Sequence, residues 1–197
     1  MPFAYYRRLS RRDQATYRKS DALHVVELPL PEALHGFLAD IHHGLDDDDY
    51  NTTQKATHRF ANALLDQLDV SPVTVRVMAV RPSDDVEELH GLYEQTDGRP
   101  LIRVWMRTAA HQQPVAFRTF VRTVLHEVCH HLDFEHFLLA DSFHTEGFFK
   151  RESHLVRQLL GDAPPRQKRE KDRANTEPSP TTAVRSQPTA QLDLFSD

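Results

Sequence analysis

Residues 126–130 read His-Glu-Val-Cys-His. On a helix, side chains four apart share a face, so His126 and His130 can reach one metal ion together. Imidazole pairs at this spacing suit zinc. Glu127 then stands beside the remaining coordination position. There a carboxylate can take a proton from water and hand it to a leaving amine. Three positions could supply a third ligand. His136 sits where an HExxHxxGxxH pattern has its last histidine, but Asp133 occupies the glycine position of that pattern, and Asp is a poorer residue for the sharp turn. Glu152 lies on the next helical stretch. His144 lies in Asp141-Ser-Phe-His-Thr-Glu-Gly-Phe148, after a loop long enough for the chain to double back. Asp133 or Asp141 can orient a ligand histidine from behind. Cys129 and His131 are turned off the ligand face by about 100° per residue, and Cys129 reads as a small core residue.

His126-Glu-Val-Cys-His130 followed by His144-x-x-x-Phe148 resembles the SprT-like zinc metallopeptidases. In that family an HExxH helix is followed by a His-Gly-x-x-Phe-like segment whose histidine is the third ligand. The resemblance covers roughly residues 115–160. It implies a zincin-type fold, Zn²⁺ held by His126, His130 and His144, and Glu127 as general base. Thr145 stands where the family has glycine, and Gly147 follows two residues later.

The elements that must position these residues can be read from periodicity. Leu34, Phe37, Leu38 and Ile41 predict a helix from Pro31 to Leu45. Ala56, Phe60, Ala63, Leu64 and Leu68 predict another from Asn51 to Leu68. Asp46 to Asp49 reads as a solvated loop, lacking the alternation and glycine of a calcium loop. Val73–Val80 alternates and is β-branched, so a strand is expected. A short strand is expected at Leu89–Tyr93. After the turn signal Asp97-Gly98 another follows at Leu101–Met106, a candidate to receive a substrate peptide as an added strand. A long helix opens after Pro114 and carries the HExxH residues. The last helix runs from Gly147 to Leu160. The fold class expected is α+β: a zincin-like domain with a small, mainly antiparallel sheet. The oxyanion stabiliser has no clear sequence signal, and Tyr93 is only a guess.

This domain is expected over residues 22–161. Residues 1–21 form a basic arm, with six cations against Asp13 and Asp21 and with Tyr5, Tyr6 and Tyr17 interleaved. One reading is non-specific contact with DNA phosphates, the tyrosines stacking on bases; the default is a frayed, solvated terminus. Residues 162–197 are polar and Pro-containing and are expected to be a disordered tail. The tail carries a second basic cluster from Arg166 to Arg173. It ends in Gln191, Leu192, Asp193, Leu194 and Phe195. This pentapeptide resembles the bacterial β sliding clamp-binding peptide, which implies that Leu192, Leu194 and Phe195 fill pockets on the clamp while Gln191 bonds at the rim. An apolar cluster at the tip of a polar tail has no evident use within the chain itself.

Composition is compatible with this picture. The 197 residues carry 24 Lys+Arg, 29 Asp+Glu and 13 His, for a formal charge of −5. That excludes a protein that coats nucleic acid over its whole surface. One cysteine excludes an internal disulfide and a Cys-rich zinc module. No run of about 18 apolar residues is present, and the N-terminus lacks the apolar core of a signal peptide, so a cytoplasmic protein is expected, nucleoid-associated if the clamp motif is used. Six of the histidines crowd between 126 and 154. The function expected is a zinc-dependent endopeptidase acting on proteins near DNA and recruited by the sliding clamp. This layout is similar to that of the eukaryotic protease Spartan, which acts on DNA–protein crosslinks. The alternative is a non-proteolytic clamp-binding or DNA-associated accessory protein whose zinc is structural or absent.

Overall fold

The computed structural model describes residues 3–80, 91–96, 98–109 and 112–162. The basic cluster of the tail and the pentapeptide 191–195 lie outside the described residues, as do Leu89, His90 and Asp97. The first unit of the chain, residues 1–162, is α+β, with five α-helices and a three-stranded sheet.

The N-terminal segment departs from the expectation of a frayed arm. Ala4–Arg8 is a 3-10 turn and Arg11–Ala22 is helix α1. Ser10 caps α1 by accepting the Asp13 amide at 3.2 Å. Thr16, Tyr17 and Ser20 are buried. Charge alone suggested a solvated terminus, but these three residues lie on one arc of the helix and bury it against the domain.

After a 3-10 turn at Pro31–Leu34 come α2, His35–Asp46, and α3, Tyr50–Gln67. The acidic run between them has structural work. Asp49 caps α3 by accepting the amides of Asn51 and Thr52, and Asp48 pairs with Arg107 at 2.8 Å.

The strands are β1, Thr74–Val80, β2, Gly91–Thr96, and β3, Arg99–Arg107. Their order is β1-β3-β2. The expectation of a mainly antiparallel sheet needs correction: β2 and β3 pair antiparallel, but β1 pairs parallel with β3. The β2–β3 pairing is a local hairpin, turned at Gly98 with φ of +70°, a conformation that favours glycine. The β1–β3 pairing is non-local, so no nearby residue signals its direction. The order also removes β3 from the role of substrate-binding strand, because both its flanks are occupied. Among the described strands β2 is the edge beside α4.

One sheet face carries Val75, Val77, Ile102, Val104 and Met106, all buried, and α3 and α4 pack in the core they build. Helix α4, Phe117–Glu135, contributes Val121, Val124, Val128 and Leu132 to that core. Helix α5, Glu146–Leu160, packs against α4 and α1. Thr145 caps α5 by accepting the Phe148 amide at 2.9 Å. Gly147 lets α5 approach α1: a Cβ there would lie 2.5 Å from the Ser20 carbonyl oxygen and 2.6 Å from that of Asp21.

Candidate metal centre

With its apolar stripe in the core, α4 directs His126 and His130 to the opposite side. The chain leaves α4 at His136 and returns through residues 136–145. Leu138, at φ of +51°, and the bond from the Leu139 amide to the Asp133 carbonyl, 2.8 Å, shape that return. It brings His144 Nε2 to 2.9 Å from His126 Nε2 and 3.1 Å from His130 Nε2. The three histidines lie close enough to bind one metal ion. Tetrahedral ligands about 2.05 Å from zinc stand about 3.3 Å apart, so small side-chain movements would accommodate an ion. Phe148 is fully buried and lies against all three imidazoles, with ring centroids 4.7–5.2 Å away.

The far nitrogens of the two α4 histidines are held as well. His126 Nδ1 lies 2.9 Å from Glu152 Oε2, and Glu152 also accepts from Arg122 Nε at 2.5 Å. His130 Nδ1 lies 2.7 Å from Ser142 Oγ. Ser142 Oγ donates to Asp133 Oδ2 at 2.7 Å, so it accepts from the histidine. Asp133 in turn receives Arg151 Nη2 at 2.5 Å in a pair with no solvent exposure. Arg151 Nη1 closes the chain by donating to the Ser20 and Leu23 carbonyls at the end of α1. With Nδ1 donating, each of these histidines turns an Nε2 lone pair to the shared point.

Charge and burial act in the same direction. Burial, with His144 and His126 as like-charged neighbours, pushes His130 well below the usual histidine range. Burial and His126 lower His144 to about 4. These imidazoles are therefore neutral at neutral pH, the form that binds a metal. Burial pushes Glu152 up, but its hydrogen bond to His126 and the charges of His126 and Arg122 carry it below the usual carboxylate value.

Glu127 is 4% exposed. Burial raises it to about 7, against the charge of His126 and the Tyr93 backbone. The carboxylate lies against Gly91 of β2. Gly91 is required there, since a Cβ would collide with Glu127 Oε1.

The structure thus brings together His126, His130 and His144, with Glu127 next to His126 on α4. It does not bring His136, which ends α4 exposed and meets Phe137 edge-to-face, nor Glu152, which backs His126 instead of joining the three nitrogens. Asp133 acts behind His130 through Ser142, while Asp141 accepts the Ser142 amide. Tyr93 does not suit the oxyanion role: its hydroxyl contacts His131 Nδ1 and accepts from Gln95, each at 3.2 Å. Cys129 is buried in the core. Ser142, Arg151 and Gly91 carried no sequence signal that singled them out, apart from the position of Ser142 two residues before His144.

Comparison with family models, with curated proteins and with solved structures gives no match. No helix among the described residues is long and apolar enough to cross a membrane.

Proposed function

We propose that the chain is a zinc-dependent endopeptidase of SprT-like, zincin type. The observation that carries this reading is the convergence of three Nε2 atoms, with Glu127, a buried carboxylate, next to His126 on α4. The donor set suits zinc: three imidazoles, two of them held from behind by hydrogen bonds. A purely structural site would not need the carboxylate.

His126, His130 and His144 would hold the ion. When bound, zinc would supply Lewis acidity, polarising a peptide carbonyl and acidifying a water molecule. Glu127 takes the proton of the attacking water at its carboxylate and returns it to the leaving nitrogen. A value near 7 suits both transfers. The substrate would lie extended along β2, the edge strand whose Gly91 lies against Glu127, with backbone hydrogen bonds supplying affinity independent of sequence.

Recruitment rests on Gln191, Leu192, Asp193, Leu194 and Phe195. In this reading they dock on the bacterial β sliding clamp and raise the local concentration of the enzyme near DNA-bound proteins, including crosslinked ones. The decisive comparison is Glu127→Gln against wild type on a DNA-bound protein. Cleavage should vanish while zinc content stays unchanged, and His144→Ala should lose zinc. Equal cleavage by Glu127→Gln would refute the peptidase reading. A peptide spanning residues 187–197 should bind purified clamp, and Leu194→Ala with Phe195→Ala should abolish binding.

A further inference from the structure

The six cations of the N-terminal segment have no place in the chemistry above. Arg7, Arg8, Arg11, Arg12, Arg18 and Lys19 are all exposed. At 100° per residue, Arg11, Arg12, Arg18 and Lys19 fall within about 120° of the α1 circumference. Ala15 and Ala22 share that arc, and Thr16, Tyr17 and Ser20 occupy the buried one. The two acids of the segment point elsewhere: Asp13 accepts from Ser10 Oγ at 2.7 Å, and Asp21 accepts the Gly147 amide at 3.2 Å. Arg18 donates to Tyr6 at 2.6 Å, while Arg7, Arg8, Arg11, Arg12 and Lys19 pair with nothing among the described residues. A cationic face without acids stands out in a chain of net charge −5.

We infer that this outer face of α1, with Arg7 and Arg8, is a binding surface for the phosphate backbone of a nucleic acid. Arg11 and Arg18, like Arg12 and Lys19, are spaced about 10.5 Å along a helix of about 18 Å. They form a fixed, repeating array suited to a polymer of phosphates. Five of the six cations are arginine, whose planar fork matches a phosphate oxygen pair. A lipid surface fits less well, because a helix that lies in a membrane keeps its apolar side free to insert, and the apolar side of α1 is buried in the domain. The tyrosines do not serve as a stacking platform. Tyr17 is buried, and Tyr5 donates to the His144 carbonyl at 2.9 Å. Recognition is therefore electrostatic and indifferent to sequence. The same Tyr5 bond places the segment against the one that carries His144.

The inference does not depend on the peptidase reading, since binding needs neither metal nor cleavage. Full-length, metal-stripped protein is titrated into a labelled duplex of about 20 base pairs at about 50 and 200 mM salt. The variant Arg11→Gln/Arg12→Gln/Lys19→Gln should bind at least about tenfold more weakly at low salt. Its salt slope should fall by about 2.7, or about 0.9 per lost phosphate contact. Arg11→Lys/Arg12→Lys should retain the wild-type slope, and thermal melting should show both variants folded. Arg166→Gln/Lys168→Gln/Arg169→Gln should change binding less than the α1 variant. Equal affinity and slope for wild type and the α1 variant would overturn the inference. So would loss of all binding in the tail variant, or binding to phosphatidylserine vesicles without binding to the duplex.

Discussion

On α5, Arg151 is fully buried and directs its guanidinium to Asp133, Ser20 and Leu23. On α1, Arg11 and Arg12 are exposed, and their side chains bond nothing among the described residues. The same side chain is used in opposite ways. Around the histidines, a polar group out of water must have a partner, so contacts form chains: His126 to Glu152 to Arg122, and His130 to Ser142 to Asp133 to Arg151. On the outer face of α1 water solvates the cations, and no internal partner is required. The contrast separates groups that hold a site in place from groups left available to an outside ligand.

The largest effect expected is on the buried pair. Arg151→Met should destabilise the protein by about 3–5 kcal/mol, because it strands Asp133 without a partner; chemical denaturation measures this. A loss below about 1 kcal/mol would show that the relay is not a structural support.

Next comes the backing of the ligands. Glu152→Gln should weaken zinc binding by about 10- to 100-fold, read by competition with a chelating dye. Unchanged affinity would mean that His126 needs no orientation from behind.

A smaller effect should appear in the pH dependence of metal affinity. Glu127 in the metal-free protein takes up its proton near 7, and a protonated carboxyl attracts a dication less than a carboxylate does. Wild-type affinity should therefore step down as pH falls through about 7, and Glu127→Gln should lack that step. Both proteins should lose more affinity as pH falls toward about 4, where His144 protonates. Identical pH profiles for wild type and Glu127→Gln would contradict the burial assigned to Glu127.

The smallest effect sharpens the other side of the contrast. Arg12→Gln with Lys19→Gln should change stability by no more than about 0.5 kcal/mol, since neither side chain is buried or paired. A cost near that of Arg151→Met would erase the distinction between the two regions.

Much of the frame is legible in the residues. The long helix after Pro114, the helices before and after it, and the Val73–Val80 strand show in periodicity because each has one apolar face. Of the strand expected at Leu89–Tyr93, the described residues 91–93 lie in β2, which runs on to Thr96. The direction of β1 against β3 and the edge position of β2 were not legible, since strand order is settled by which faces helices cover. The buried arc of α1 was hidden under its charge: four of its twelve residues are Arg or Lys.

By itself the sequence determined the candidate pair His126 and His130 with Glu127 next to His126, because one turn of helix places residues four apart on a shared face. It also set the cationic face of α1 and the apolar tip at 191–195. Tertiary structure alone decided among His144, His136 and Glu152. A ligand from another segment is fixed by where a loop returns, and that return depends on the Thr145 cap, the approach at Gly147 and the buried Arg151. Each of these contacts joins residues far apart in the chain or depends on a helix end, so apart from the resemblance carried by His144 and Phe148, no periodicity pointed to the outcome.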